Sequence, residues 1–361
     1  MDSSNLLGNT IRLLLLSPIP TNAAIASIAT FVTKLKRTMF TNKDIEYRSI
    51  YVINCIHDRD LRVSNGELLL EDIEESKTLT KLPFQKILAL FIIGHIRITT
   101  PLIDKCRKFN VALVVVNQSF RPVFYWANAA EANYLLRQKQ YQLSKEDISI
   151  AKILVENKIN NQIIALQKTR KTDGLTQSAV NSCRECLKKL DDVDQYNSLM
   201  GIEGLASRCF FEAFFQDMNW DARKPRIKSD AINATLDIGY TILFNYIECF
   251  VRMFGFDPYV GVYHRLWFKR KSLICDLMEP FRCIVDRAVR SAFHRKQFSE
   301  NDFYVIKGEY KLKVQKNSYY CKVFFDALIP FKSDVFKYVQ SYYRSFMRQK
   351  PTGDYPKFEF Q

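Results

Sequence analysis

The stretch GVYHRLWFKRKSLICDLMEPFR, residues 261–282, places His264 ahead of a run of lysines and arginines and follows it with two acids, Asp276 and Glu279. Imidazole and carboxylate are ligands for divalent cations, while Lys and Arg side chains hold phosphate. If Leu273 to Val285 is helical, Asp276 and Glu279 stand three apart and share a face. Two readings follow. Either Glu279 pairs with Arg282 one turn on, or the acids and His264 converge on a cation with Lys269, Arg270, Lys271 and Arg282 poised to hold a phosphate backbone. A third acid, Glu203, lies between two glycines in GIEGLASRCFFEAFF, where little bulk would obstruct a ligand. The segment reads as the head of an aromatic-rich helix, so Glu203 is also readable as a first-turn acid favoured by the helix dipole. His264, among aromatics, is likewise readable as a core histidine.

Elements must hold these residues in place. From Arg48 to about Trp126 the chain shows short apolar runs, SIYVINCI, LRVSNGELLLED, KILALFII, VALVVV and VFYW, separated by turn signals. Asn65-Gly66 between apolar segments predicts a hairpin. ITTPLIDKCRKFN predicts a helix capped by Thr99 or Thr100 with Pro101 in its first turn. After Asn128 the apolar period becomes that of helices, with long segments over 129–171 and 175–217. SDAINATLDIGYTILFNYIECFVRMFG predicts a central helix that opens at Ser229 or Asp230 and stops at Gly255. A strand pair is expected in FYVIKGEYKLKV and a last helix in DVFKYVQSYYRSFMRQ. The expected fold is α+β: a small N-terminal β-rich domain, 46–127, then a larger all-α catalytic domain, 128–349, with an N-terminal extension, 1–45, and a tail, 350–361. The extension is expected to be dispensable, with Met39 as a second possible start.

The net charge of +15 over 361 residues points to a polyanionic partner, because counterion release from nucleic acid drives binding to basic surfaces. The 9 cysteines are an odd number without dense, even spacing, which suits a reducing, cytoplasmic setting. Cys183 and Cys186 form a lone CxxC, read as two buried thiols and not as a metal knuckle. LLLL at 13–16 makes a poor signal peptide, and the longest later apolar run carries Asn245, Glu248 and Arg252, so no membrane span is expected. Nucleotide-cofactor and zincin motifs are absent.

Taken together, these segments resemble the CRISPR-associated integrase family, the first of the Cas proteins and the enzyme of spacer acquisition. GIEG with Ser207-Arg208, Lys224-Pro225 leading into DAINATLDIGYTIL, GFDPYVGVYH, and SLICDLMEPFR with Val285-Asp286 follow the family's order. VENKINNQIIAL at 155–166 and the strand pattern ahead of it are similar too, and DLMEPFR resembles members from class 2 systems. The resemblance covers residues 46–335 and implies a DNA endonuclease and integrase that joins 3′-hydroxyl ends of short fragments to a CRISPR repeat array. It implies Mg²⁺ or Mn²⁺ held by Glu203, His264 and Glu279, with Asp276 as a second ligand or an acid behind them, its loss being the milder one. DNA contacts are expected from Arg208, Arg265, Lys269, Arg270, Lys271 and Arg282.

The same resemblance implies double-stranded DNA as substrate and a homodimer formed through the β-rich domain. It also implies a small ferredoxin-like second Cas protein as partner and a Cas exonuclease as a further one. VALVVV and VFYW are candidate interface strands, or else core of their own domain. The stretch from Asp334 to Gln361 is expected to help dock the partner. The competing reading is a catalytically inactive DNA-binding scaffold, against which the intact Glu203, His264 and Glu279 argue.

Overall fold

The computed structural model describes residues 40–55, 59–127, 133–144, 146–169 and 173–361. Most of the expected extension, with Met39, lies outside these residues. Its last part is a helix, α1 (Asn42–Tyr47), opened by a capping box in which Thr41 and Asp44 satisfy each other's backbone N–H groups. Ile45 of α1 is 1% exposed, so this stretch belongs to the folded body.

Strand β1 (Ser49–Cys55) is followed by an antiparallel three-stranded sheet, β2 (Arg59–Ser64), β3 (Glu67–Asp72) and β4 (Lys77–Pro83). Asn65 and Gly66 join β2 to β3 with φ of 49° and 82°, the left-handed pair that a two-residue hairpin turn requires. Next come β5 (Ile87–Gly94), α2 (Thr100–Phe109), β6 (Ala112–Val116) and β7 (Pro122–Trp126). The second sheet has the order β1-β5-β6-β7, parallel except for β6 with β7. Every residue of β5 and β6 is buried, as unbroken apolar runs in a sheet covered on both faces should be. VALVVV is therefore buried core and not an exposed interface strand. β7 keeps an exposed side, with Val123 69% accessible.

The helical part runs α3 (Tyr134–Tyr141), α4 (Ser149–Gln167), α5 (Gly174–Lys189), α6 (Tyr196–Phe214) and α7 (Ala231–Met253). It continues through α8 (Ser272–Met278), α9 (Arg282–His294), the hairpin β8 (Phe303–Ile306) and β9 (Glu309–Leu312), α10 (Asn317–Leu328) and α11 (Lys332–Met347). Each of the two long segments expected at 129–171 and 175–217 is thus a pair of helices. α7 opens at Asp230, whose side chain accepts from Asn233 N, and its chain turns away at Gly255 with φ 84°. It is the central helix: a Cβ on Gly239 would meet Phe324 and Val285 at 2.5 Å, so α9 and α10 close directly on its backbone. The sheet is fastened to this core by the Phe91–Phe325 ring contact at 4.9 Å and by Asn245 Nδ2 donating to Phe120 O at 2.9 Å. Cys183 and Cys186 are buried on α5.

The end of the chain is engaged inside. Tyr355, Phe358 and Phe360 are buried, and Phe358 packs on Phe281 with ring centroids 4.4 Å apart. Asn157 and Asn161 of α4 pair with the tail backbone at Phe358 and Phe360 much as a neighbouring strand would. These aromatics satisfy the protein's own core, so Tyr355, Phe358 and Phe360 are not the surface that the stretch from Asp334 to Gln361 could offer a partner.

Candidate active site

Pro280 decides how the acids are presented. Its ring cannot donate to a helical ladder, so α8 ends at Met278, a tight turn spans Glu279–Phe281, and α9 starts at Arg282. The single helix expected over 273–285 is broken there, and Asp276 and Glu279 serve different neighbours. Asp276 is fully buried and accepts from the backbone N–H of Val262 (2.6 Å), Tyr263 (3.0 Å) and His264 (2.8 Å), and its Oδ1 lies 2.7 Å from His264 Nδ1. The carboxylate thus fixes both the loop and the ring, and with Nδ1 so engaged Nε2 is the ring nitrogen left to ligate. Gly261 makes the approach possible: a Cβ there would stand 2.4 Å from Asp276 Oδ2.

Glu279 is 3% exposed and faces two cations. Arg282 Nη2 donates to its Oε1 at 2.9 Å, and Arg282 Nε and Lys158 Nζ each lie 2.8 Å from Oε2. Burial would raise the Glu279 carboxyl, but Arg282, Lys158 and His264 outweigh it and hold it down at about 2. Glu203 sits in the middle of α6, not at its head, so the dipole explanation for this acid fails. Its carboxylate accepts from Ser207 Oγ at 2.9 Å and pairs with Lys158. Burial works against the charged form of Lys158, yet Glu203 and Glu279 raise its pKa above the ordinary lysine value.

Lys158, Glu203, His264, Glu279 and Arg282 line one cleft of about 950 Å³, to which the β6–β7 connection adds Arg121. Of the expected DNA contacts, Arg208 and Arg270 line it, Arg265 stacks on the Tyr196 ring at 4.2 Å, and Lys269 is exposed on the same loop. Two others are turned inward. Lys271 is held at 2.7 Å by buried Glu248, and Arg282 is occupied by Glu279 and by the Tyr240 ring at 4.6 Å, so neither is a free phosphate contact. The sequence did not single out Lys158, Arg121, Arg226 or Lys228 of this cleft. Lys158 did stand within VENKINNQIIAL, the only signal available for it.

Among the described residues no three His, Cys, Asp or Glu side chains stand close enough to enclose a metal ion. The donor types nonetheless fit one. Two carboxylates and an imidazole nitrogen suit Mg²⁺ or Mn²⁺. Glu279 Oε2 is buried and accepts no aligned hydrogen bond, although Lys158 Nζ and Arg282 Nε each lie 2.8 Å from it.

A β-rich region followed by a helical body is the architecture of a known class of protein. Residues 52–324 match the family described as CRISPR associated protein Cas1. The chain belongs to that family. It is 30% identical over 233 residues to the CRISPR-associated endonuclease Cas1 1 of Thermodesulfovibrio yellowstonii, covering 62% of this chain and 73% of that one. It is 28% identical over 321 residues to a Cas4 exonuclease/Cas1 endonuclease fusion of Leptospira interrogans, covering 80% of this chain and 57% of the fusion. Among solved structures it resembles a casposase bound to integration product, with TM-score 0.70 and 21% identity over 86% of this chain and 94% of that one. A chain of a Cas6-RT-Cas1–Cas2 complex gives TM-score 0.71 and 19% identity, covering 87% of this chain, which spans 36% of that longer one.

Proposed function

We propose that this chain is a divalent-metal-dependent DNA endonuclease and integrase of CRISPR adaptation, joining the 3′-hydroxyl ends of short DNA fragments to a CRISPR repeat by transesterification. The observation that carries the reading is the meeting of Glu203, His264 and Glu279 on one basic cleft in a Cas1-family chain. Glu203, His264 and Glu279 would hold Mg²⁺ or Mn²⁺, which when bound supplies Lewis-acid stabilisation of charge on a phosphodiester under attack. Asp276 keeps the His264 ring in the orientation and tautomer that offers Nε2. Arg282 holds Glu279 from behind, and Arg121, Arg208 and Arg270 position the DNA backbone without reading bases. A 3′-oxygen attacking phosphorus forms one P–O bond and releases the strand on the opposite oxygen; water in its place gives hydrolysis.

The partners in this reading are double-stranded DNA, a second copy of the chain, and a small Cas2-type protein, supported by likeness to Cas1–Cas2 assemblies. A Cas4-type exonuclease is a further one, supported by the fusion relative. The site of action is the cytoplasm; no helix among the described residues is long and apolar enough to cross a membrane. The test is transfer of a labelled fragment with free 3′ ends into a repeat-bearing plasmid, in Mn²⁺ and in EDTA. Wild type is expected to join strands only with metal, and His264→Ala and Glu279→Gln to lose at least about a hundredfold of that activity. Wild-type rates in His264→Ala would refute the assignment.

A further inference from the structure

Among the described residues Lys158 is the one cation paired with both Glu203 and Glu279. Its side chain is 10% exposed, and its ammonium pairs with Glu203 and, at 2.8 Å, with Glu279. The backbone that carries it is fixed: Asn157 and Asn161 on either side along α4 are bonded to the buried tail. The side chain is not walled in, because Lys158 itself lines the cleft. The anchor is therefore rigid, while its four-carbon stem has an open direction in which to swing.

Charge makes this position consequential. Glu203 and Glu279 carry two negative charges, and Lys158 with Arg282 already balances them. A divalent ion entering beside both carboxylates would add two positive charges to a balanced set, within a few ångströms of an ammonium in a poorly screened setting. Arg282 is held by the Tyr240 ring as well as by Glu279, whereas the partners of the Lys158 ammonium are the two carboxylates that a divalent ion would engage.

We infer that Lys158 is a built-in counter-ion that occupies the place of the metal between Glu203 and Glu279 and is displaced into the cleft when the metal binds. There the freed ammonium meets DNA phosphate. Metal and DNA then favour each other's binding through this one side chain, because the phosphate captures the charge that the metal expels. The inference rests on the metal reading above and adds to it a residue that competes with the metal before it assists the substrate.

The test uses the full-length chain without DNA, with MnCl₂ or EDTA, and reads Mn²⁺ affinity by calorimetry and lysine reactivity by acylation and mass spectrometry. Lys158→Met keeps an unbranched side chain of similar length and removes the charge. The variant is expected to bind Mn²⁺ about tenfold more tightly than wild type, since no ammonium has to leave. Its melting temperature in EDTA is expected to fall, and the gain on adding Mn²⁺ to exceed that of wild type. In wild type, acylation of Lys158 is expected to rise several-fold on adding Mn²⁺. Should Lys158→Met fail to fold, the labelling of wild type decides alone. Equal or weaker Mn²⁺ binding in Lys158→Met, with Lys158 unreactive in both conditions, would overturn the inference while leaving the metal site intact. Absence of Mn²⁺ binding in wild type and variant alike would overturn both the inference and the metal reading.

Discussion

Both oxygens of Asp276 are engaged with donors, three on the backbone and one on the His264 ring, so no part of this carboxylate is left for a metal. An amide in its place would turn an N–H₂ toward N–H donors. Asp276→Asn is therefore expected to cost about 2 kcal/mol in thermal or urea unfolding and to lower strand transfer as far as His264→Ala does. The mild effect expected from sequence for loss of this acid is thus revised, and a variant with wild-type activity would show the loop does not need it. Asp286 behaves differently. Burial pushes its carboxyl up to about 7 from 3.8, against the Tyr240 hydrogen bond and the pull of Arg282, Lys158 and Arg223. A raised pKa in the folded state means the contribution is complete below about pH 4 and is lost as pH climbs through 7. Asp286→Asn should be more stable than wild type by about 1 to 3 kcal/mol at pH 8, with the gap closing toward pH 4. Glu279, held down at about 2, loses its stabilising effect only as pH falls from 4.5 through 2 and does so alike in both proteins. Denaturant midpoints at several pH values read the difference, and a constant gap would count against it.

At the scale of elements, α4 does more than bury an apolar face. Asn161 Nδ2 donates to Pro280 O at 2.8 Å and to Phe358 O at 2.9 Å, while its Oδ1 accepts from Phe360 N at 2.9 Å. One side chain thus ties the tail to the turn that carries Glu279. Asn161→Ala would remove all three of these bonds, leaving Phe358 O with Asn157 alone and taking the side-chain partner from Pro280 O and Phe360 N, and is expected to cost about 2 kcal/mol. Because the turn then loses its support, strand transfer should fall further than the loss of folded protein explains, measured at a temperature where the variant remains folded. The polar run ENKINNQ was legible in the sequence, but its partners lie some 200 positions away in the chain, and helical period says nothing of such pairings. Strands, by contrast, carried local signals. The Asn65-Gly66 turn, Pro101 at the start of α2 and Asp230 at the start of α7 each fix a boundary through chemistry confined to four residues or fewer. The break at Pro280 is equally local, but the spacing of Asp276 and Glu279 points instead to a shared helical face.

For the whole molecule the open question is which of its positive charges reach DNA, since +15 is a sum and a sum has no location. Sequence proximity to His264 favoured Lys269, Arg270, Lys271 and Arg282, but Lys271 and Arg282 are bound to Glu248 and Glu279 in the interior. The cleft is instead supplied from distant parts of the chain: Arg121 from the sheet, Arg208 from α6, and Arg226 and Lys228 from the loop before α7. None of these four forms an ion pair among the described residues, so each can exchange a counterion for a phosphate. Log affinity for duplex DNA should fall linearly with log salt, and Arg208→Glu or Lys228→Glu should lower the slope by about one per lost contact while leaving the melting temperature unchanged. Lys271→Glu should do the reverse, bringing a second acid against buried Glu248 and unfolding the protein at lower temperature. Affinity titrations at four salt concentrations beside thermal melts separate the two classes. If Arg208→Glu kept the full wild-type slope, the duplex would have to cross a different face of the molecule from the one that holds Glu203, His264 and Glu279.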